Sequence, residues 1–401
     1  IAADHATQVR DHATAEDIHH FVELALTQKL GPLALKLHTG RSRNEQIATD
    51  LRLYVRAQID SVTAALLTWA YALTAKAEAA GDSVMPSYTH LQRAEPVLVA
   101  HWLLAYVEML LRDCARLRDV RARLNFCPLG SGAVAGATLA LDRTIATREL
   151  GFTAPTANSI DATSDRDFIL DYLQALTFVG LHASRFAEEI TLFATAEFNF
   201  IQLPEAFSTG SSAMPQKKNP DLTELVRAKV ARINAAAQTV TLILKGLPLA
   251  YNKDLQETQE PVFAVDFVPL MLDLLARFTA ALTFNTDHMR HAAEHGYLNA
   301  MAAATYLVHK GVPFRTAHEL IGKAVRTALD QGVELNALPL AELQSISPHF
   351  AEDFFAAITL EATLDCHDVP GGTARPRVKQ ALTAAKARIA TLRKEAAHAG
   401  S

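Results

Sequence analysis

The chain has 401 residues, enough for several cores, and half of them are hydrophobic while only 7% are aromatic. Such an interior of alanine, leucine and valine favours helix over sheet, and a net charge of −5 gives no general reason to expect nucleic acid or an anionic membrane as partner. Cys114, Cys127 and Cys366 fit neither a disulfide framework nor a zinc pattern, and no apolar run is long enough to span a membrane, so the expected location is the cytoplasm.

Residues 1–40 are polar and histidine-rich, with one helical pattern from Ala15 to Leu30 that Gly31-Pro32 ends. The opening Ile1-Ala2-Ala3-Asp4-His5 is neither a signal peptide nor an initiator methionine, so the native N-terminus is expected to lie outside this sequence. From Arg41 to Ala80 there is no glycine or proline. Within that span Val55, Ile59, Val62, Leu66, Trp69 and Leu73 recur four and three apart, the seam of a long bundle helix. A loop is expected over Gly81–Pro96, then helix again over Val97–Cys127, Thr156–Val179, Leu181–Leu203, Asp221–Lys245 and Leu270–His295. Helices this long exceed the globular mean of about 11–12 residues and leave seams that need partner helices, hence an oligomer. Beyond residue 295 Gly311, Pro313, Gly322, Gly332, Pro339 and Pro348 cut the pattern into short helices, a separate small domain. Strand alternation is nearly absent. The class is all-α.

Four polar stretches interrupt this apolar background. Gly210-Ser211-Ser212-Ala213-Met214-Pro215-Gln216-Lys217-Lys218-Asn219-Pro220 gathers hydroxyls and ammonium groups before a helix start, with Asn219 expected as N-cap and Pro220 at the first helical position. Helix N-termini favour anions, so this is a site for a negatively charged substrate. Leu222, Leu225, Val226 and Ile233 supply the apolar stripe of the helix that follows. Met85 to Pro96 displays Thr89, His90 and Gln92 between two long helices. A lone loop histidine is ordinarily just solvated, and His90 gains a role only with a carboxylate to orient it, for which Glu224 is the candidate. His38 to Asn44 offers Arg41 and Arg43 for fork-like recognition of carboxylates, and Tyr251 to Glu257 is unusually polar. Pro128 to Gly136 only loosely resembles a phosphate loop, since its spacing is wrong and it follows a helix. The histidines lack metal-ligand spacing. Neither a metal nor a cofactor is expected.

At these residues the chain resembles the fumarase/aspartase superfamily through Gly210-Ser211-Ser212-x-Met214-Pro215-x-Lys217-x-Asn219. It resembles the argininosuccinate lyases within it through His38–Asn44, Tyr88–Gln92, Asn158–Ala162, Ser164–Phe168 and Tyr251–Glu257. The resemblance covers essentially the whole chain and implies that the family's N-terminal segment is not included. It also implies three helical domains, 1–42, 43–294 (the long-helix bundle) and 295–401, in a homotetramer whose sites are shared between subunits. The implied reaction splits argininosuccinate into arginine and fumarate in arginine biosynthesis, by proton abstraction, an aci-carboxylate intermediate and carbon–nitrogen cleavage.

On this resemblance Ser211 is the base, with its alkoxide stabilised by Lys217 and backbone N–H groups. His90 is the acid or its orienting partner, with Glu224 raising its basicity. Arg43, Asn44, Thr89, Asn219, Tyr251 and Gln256 fall on substrate-binding positions. Between Ser211 and Ser212 only the family decides. The chain departs from the family at Thr258-Gln259-Glu260, where Asp-Lys-Glu is usual, so Gln259 holds a substrate position without the charge. Rival readings are another fumarate-releasing lyase, of the adenylosuccinate kind, and a non-catalytic structural protein on the same scaffold.

Overall fold

The seam expected between Arg41 and Ala80 is an unbroken helix, α2, Arg43–Ala80, in the computed structural model, which describes residues 15–399. Val55, Ile59, Val62, Leu66, Trp69 and Leu73 are each at most 1% exposed. Full burial of such side chains stabilises by about 1.5–3 kcal/mol apiece, which explains why the helix needs no punctuation. The helix before it, α1, Ile18–Leu30, starts at Asp17, whose side chain accepts from His20 N–H, and stops at Gly31 with φ 61°. The remaining long helices are α3, Val99–Leu124, α4, Asp167–Phe193, and α5, Asp221–Leu244. The chain is all-α, as expected, and among the described residues no helix is long and apolar enough to cross a membrane.

Two compact units emerge, each drawn from three separated stretches. The first takes the described residues up to Ile59 with Arg116–Leu176 and Ile233–Asp266; the second takes Asp60–Ala115, Thr177–Arg232 and everything from Phe267. In the first, Arg52 is buried, donates from Nη1 to Leu124 O at 2.8 Å, ion-pairs with Asp165 and lies 4.5 Å over the Phe168 ring. Arg143 donates to the carbonyls of Leu129 and Thr156 at 2.8 and 2.9 Å and to Cys127 O at 3.1 Å. One guanidinium thus ties the start of the Pro128–Gly136 loop to Cys127 and Thr156. In the second unit Trp69 donates to Thr279 Oγ1 at 3.0 Å inside the core and meets Phe186 edge-on at 5.3 Å. Glu189 accepts from Trp102 Nε1 at 2.7 Å and from Tyr106 Oη.

Four expectations need correction. The stretch expected as a loop over Gly81–Pro96 is largely a β-hairpin, β1, Val84–Thr89, against β2, Gln92–Leu98. Pro86 sits opposite Pro96, with a bulge between Pro86 and Tyr88, so the prolines that suggested a loop stand where no ladder donor is needed. Helix α4 runs through Gly180 rather than stopping at Val179, and it ends at Phe193 rather than Leu203. The roughly 1 kcal/mol cost of a helical glycine is outweighed by buried Val179, Ala183 and Phe186 beside it. The pattern Leu270–His295 is two helices, α6, Val268–Ala281, and α7, Thr286–Glu294, parted where Thr283-Phe284 pairs with Ile201-Gln202. Lastly, the C-terminal region holds not only short helices such as α8, Ala300–His309, but also α9, Phe314–Gln331, of 18 residues and a closing α10, Arg375–Ala399, of 25.

Replacing Thr279 with valine should leave the Trp69 indole N–H buried without a partner and lower stability by about 1–3 kcal/mol. The urea midpoint reads this out, and an unchanged midpoint at unchanged slope would contradict the assigned bond.

Candidate active site

Within the second unit, β3, Thr209–Gly210, pairs antiparallel with β4, Lys218–Asn219, and closes the loop between them into a flap. Ser211 Oγ accepts from Ala213 N–H at 3.2 Å and from Met214 N–H at 3.0 Å. Two backbone donors on one hydroxyl oxygen favour its ionised form, and this separates Ser211 from Ser212, which residue type alone does not. The two lysines also part company. Lys218 ion-pairs with Glu205, and this hydrogen bond, ahead of the plain charge attraction, lowers the Glu205 carboxyl below its usual range. Among the described residues Lys217 has no ion-pair partner, so the flap carries one uncommitted ammonium group beside one polarised serine.

Asn219 lies in β4 rather than at the N-cap. Helix α5 begins at Asp221, as the pattern Asp221–Lys245 has it, but the cap shifts by one residue from Asn219 to Pro220, whose O accepts both Glu224 N–H at 3.1 Å and Thr223 Oγ1 at 2.8 Å. Of the expected stripe, Val226 and Ile233 are buried, but Leu225 is 58% exposed and faces outward. Glu224 is exposed in the first turn and its ion-pair partner is Arg227 at 3.9 Å. Among the described residues nothing in the single chain joins it to His90.

Thr89 ends β1, pairs with Gln92, and leaves His90 and Leu91 as a two-residue hairpin turn with φ 55° and 57°. Both central residues of such a turn sit in the left-handed region, where Asn-Gly is the usual choice and other side chains cost of order 1 kcal/mol or more each. His90 is therefore held at an exposed, strained tip. Tyr88 anchors the tip, its ring 5.4 to 6.3 Å from Phe193, Phe198 and Phe200, while Arg93, opposite Tyr88, donates to Ala292 O on α7 at 3.3 Å.

In the first unit, Ser42 and Glu45 form a reciprocal cap on α2. Ser42 Oγ accepts from Asn44 N–H at 3.3 Å and Glu45 Oε1 accepts from Ser42 N–H at 3.2 Å. Glu45 is 1% exposed and its other oxygen accepts from Gly132 N–H at 2.5 Å. Gly132 has φ 60°, and a Cβ there would come 2.7 Å from Gly136 O. The would-be phosphate loop is thus a strut under Arg43 and Asn44. Sequence reasoning missed Glu45, though Ser42-x-x-Glu45 is itself a legible capping signal. Arg43 pairs with Asp17 at 3.0 Å and with Glu16 at 3.4 Å, so its charge is partly committed, while Arg41 lies 3.8 Å from Glu23.

Tyr251 leads into a 3₁₀ turn, Lys253–Thr258, and a short helix, Gln259–Phe263. Buried Leu255, Thr258 and Val262 anchor it, and Gln256 and Gln259, three residues apart, come onto a common side. Asn252 Nδ2 donates to Pro248 O at 2.8 Å and fixes the approach. The structure thus brings Ser211, Lys217 and Asn219 together in one flap, Thr89 and His90 in one turn, Arg43 and Asn44 on one cap, and Tyr251, Gln256 and Gln259 on one turn. Among the described residues no group of histidine, cysteine and carboxylate side chains is arranged to hold a metal ion.

The chain matches a lyase family model over residues 3–235 and an argininosuccinate lyase C-terminal model over residues 297–365. It is 69% identical over 385 residues to an argininosuccinate lyase of Acidobacterium capsulatum, covering 96% of this chain and 79% of that protein. It is 57% identical over 390 residues to one of Koribacter versatilis, covering 97% and 84%. Among solved structures it superposes on EDDS lyase in complex with formate with a TM-score of 0.88 at 27% identity, covering 98% of this chain and 81% of that one.

Leu91→Gly removes one left-handed side chain that is 68% exposed and buries little, so it should stabilise the chain by about 1 kcal/mol. A lower thermal midpoint for this variant would contradict the strain assigned to the turn.

Proposed function

The chain belongs to the argininosuccinate lyase family, and from that premise we propose how its own residues carry the cleavage of argininosuccinate to arginine and fumarate. The hard step is removal of a proton from a carbon beside a carboxylate, a weak carbon acid. Ser211 takes it. A serine hydroxyl is also weakly acidic, so the step needs the alkoxide held down in energy, and the N–H groups of Ala213 and Met214 are aimed at that oxygen. This double donation is the observation that carries the assignment. Losing one oxyanion donor in comparable sites costs about 2.7–4 kcal/mol.

Charge leaving the carbon spreads into the carboxylate as an aci-form. Lys217 and Asn219 hold that carboxylate, Lys217 because its ammonium is uncommitted where that of Lys218 is tied to Glu205. The departing guanidino nitrogen needs a proton, supplied by His90 or by a group His90 orients, with Glu224 raising its basicity. Thr89, Arg43, Asn44, Tyr251, Gln256 and Gln259 bind the remainder of the substrate.

Within one chain Glu224 does not reach His90, and α4 and α5 leave Phe178, Leu181, Leu225 and Leu242 between 42% and 68% exposed. Both observations support a homotetramer in which facing helices cover those side chains and each site draws loops from different subunits. The three-domain division and a cytoplasmic location, where arginine is made, belong to the same proposal.

Fumarate release, followed by its ultraviolet absorbance, tests the base. Ser211→Ala should abolish turnover while Ser212→Ala retains most of it; release surviving Ser211→Ala in a folded oligomer sinks the assignment. The missing charge at position 259 yields a separate expectation. Restoring it with Gln259→Lys should strengthen substrate binding by about 1–2 kcal/mol, a lower Michaelis constant by roughly five- to thirtyfold. An unchanged Michaelis constant would show that the position makes no charge-assisted contact.

A further inference from the structure

A cavity lies in the C-terminal part of the second unit, with a volume of about 520 Å³, the size range of small-molecule sites. The proposed chemistry uses none of its lining residues. They include Glu294, Glu334 and Glu361, with His295, Asn299 and Thr363 between them, and among the described residues no lysine or arginine lines it.

The polar atoms there are unevenly satisfied. Glu294 and Glu361 share Arg290 at 2.8 Å each, and Glu334 accepts the N–H groups of Gly296 and Tyr297 at 3.0 and 3.2 Å. Arg290 bridges Glu294 and Glu361, Arg375 acts on Glu361 while itself paired with Asp365, and Glu334 is held by backbone N–H groups, so an excess of negative charge remains. His295 Nδ1 is spent on His291 O at 2.7 Å. Asn299 donates to Ile358 O at 3.1 Å, but its Oδ1 is buried without a partner. Thr363 is 1% exposed and its Oγ1 is likewise buried and unpartnered. An unpaired buried hydroxyl or amide oxygen costs about 1–3 kcal/mol, and two of them beside one cavity call for a ligand that brings donors.

We propose that this cavity binds a small organic cation, an alkylammonium or alkylguanidinium. The excess carboxylate charge attracts the cation, and its N–H groups satisfy Asn299 Oδ1 and Thr363 Oγ1. A ligand with its own carboxylate fits poorly, because Glu294, Glu334 and Glu361 would repel it and, among the described residues, no lysine or arginine lines the cavity. The site is therefore distinct in chemistry from one built for a dicarboxylate.

The test is calorimetric titration of the full chain with agmatine, a guanidinium without a carboxylate, in the wild type and in Thr363→Val and Glu334→Gln. Valine keeps the shape of threonine and removes only the unpartnered hydroxyl, so this variant should fold at least as well and release fumarate at the wild-type rate. The expected result is saturable binding of one agmatine per chain, weakened about tenfold or more in both variants. Glutamine at position 334 keeps one acceptor oxygen and turns the other into an N–H donor, so it accepts only one of the two backbone N–H groups; its thermal midpoint is measured alongside, and loss of binding at an unchanged midpoint reads the charge rather than the fold. The absence of saturable binding in the wild type, or equal affinity in all three proteins, overturns the proposal.

Discussion

A single apolar seam dictates where chemistry can occur in this chain. Val55, Ile59, Val62, Leu66, Trp69 and Leu73 bury a long seam of a 38-residue helix, so a polar side chain buried on this helix is tied to a fixed partner, as Glu45 is to Gly132 N–H and Arg52 to Asp165. The same constraint acts on the other long helices. Polar groups that must meet a substrate are displaced to helix ends and to the turns between helices. That is where they stand: on the cap of α2, at the hairpin tip before α3, on the flap before α5, and on the turn after it.

Elements this exposed need local devices to hold a geometry, and each has one of a different kind. The cap of α2 is tied down by Glu45, whose two oxygens serve Ser42 and Gly132. The hairpin accepts left-handed backbone at His90 and Leu91 and balances it with the aromatic packing of Tyr88. The flap organises itself, since Ser211 binds the N–H groups of its own loop. That internal organisation carries a chemical benefit, because the donors that shape the loop are also the donors that stabilise an alkoxide. Shape and reactivity are then the same set of bonds.

Much of this was legible in the sequence, and the exceptions have physical causes. Unbroken heptad spacing announced α2, and clustered serine, lysine and asparagine announced the flap, because both signals are local. The hairpin was hidden by Pro86 and Pro96, which read as loop residues until their positions opposite each other are known. The pairing of Thr283-Phe284 with Ile201-Gln202 joins segments some eighty residues apart and leaves no local trace, so two helices read as one. Which lysine is uncommitted depended on Glu205, and which serine is polarised depended on backbone direction; neither is written in residue type. The suggested meeting of His90 and Glu224 is not made within one chain, which moves that question from folding to assembly.

In the proposed homotetramer these loops complete one another across subunits. Co-expression of His90→Asn and Ser211→Ala chains, each inactive as a homo-oligomer, tests it directly. Mixed oligomers should recover fumarate release well above either parent, because some sites then draw both unaltered residues from different subunits. If mixed oligomers form, as mass measurement would show, and remain as inactive as their parents, the shared site is contradicted.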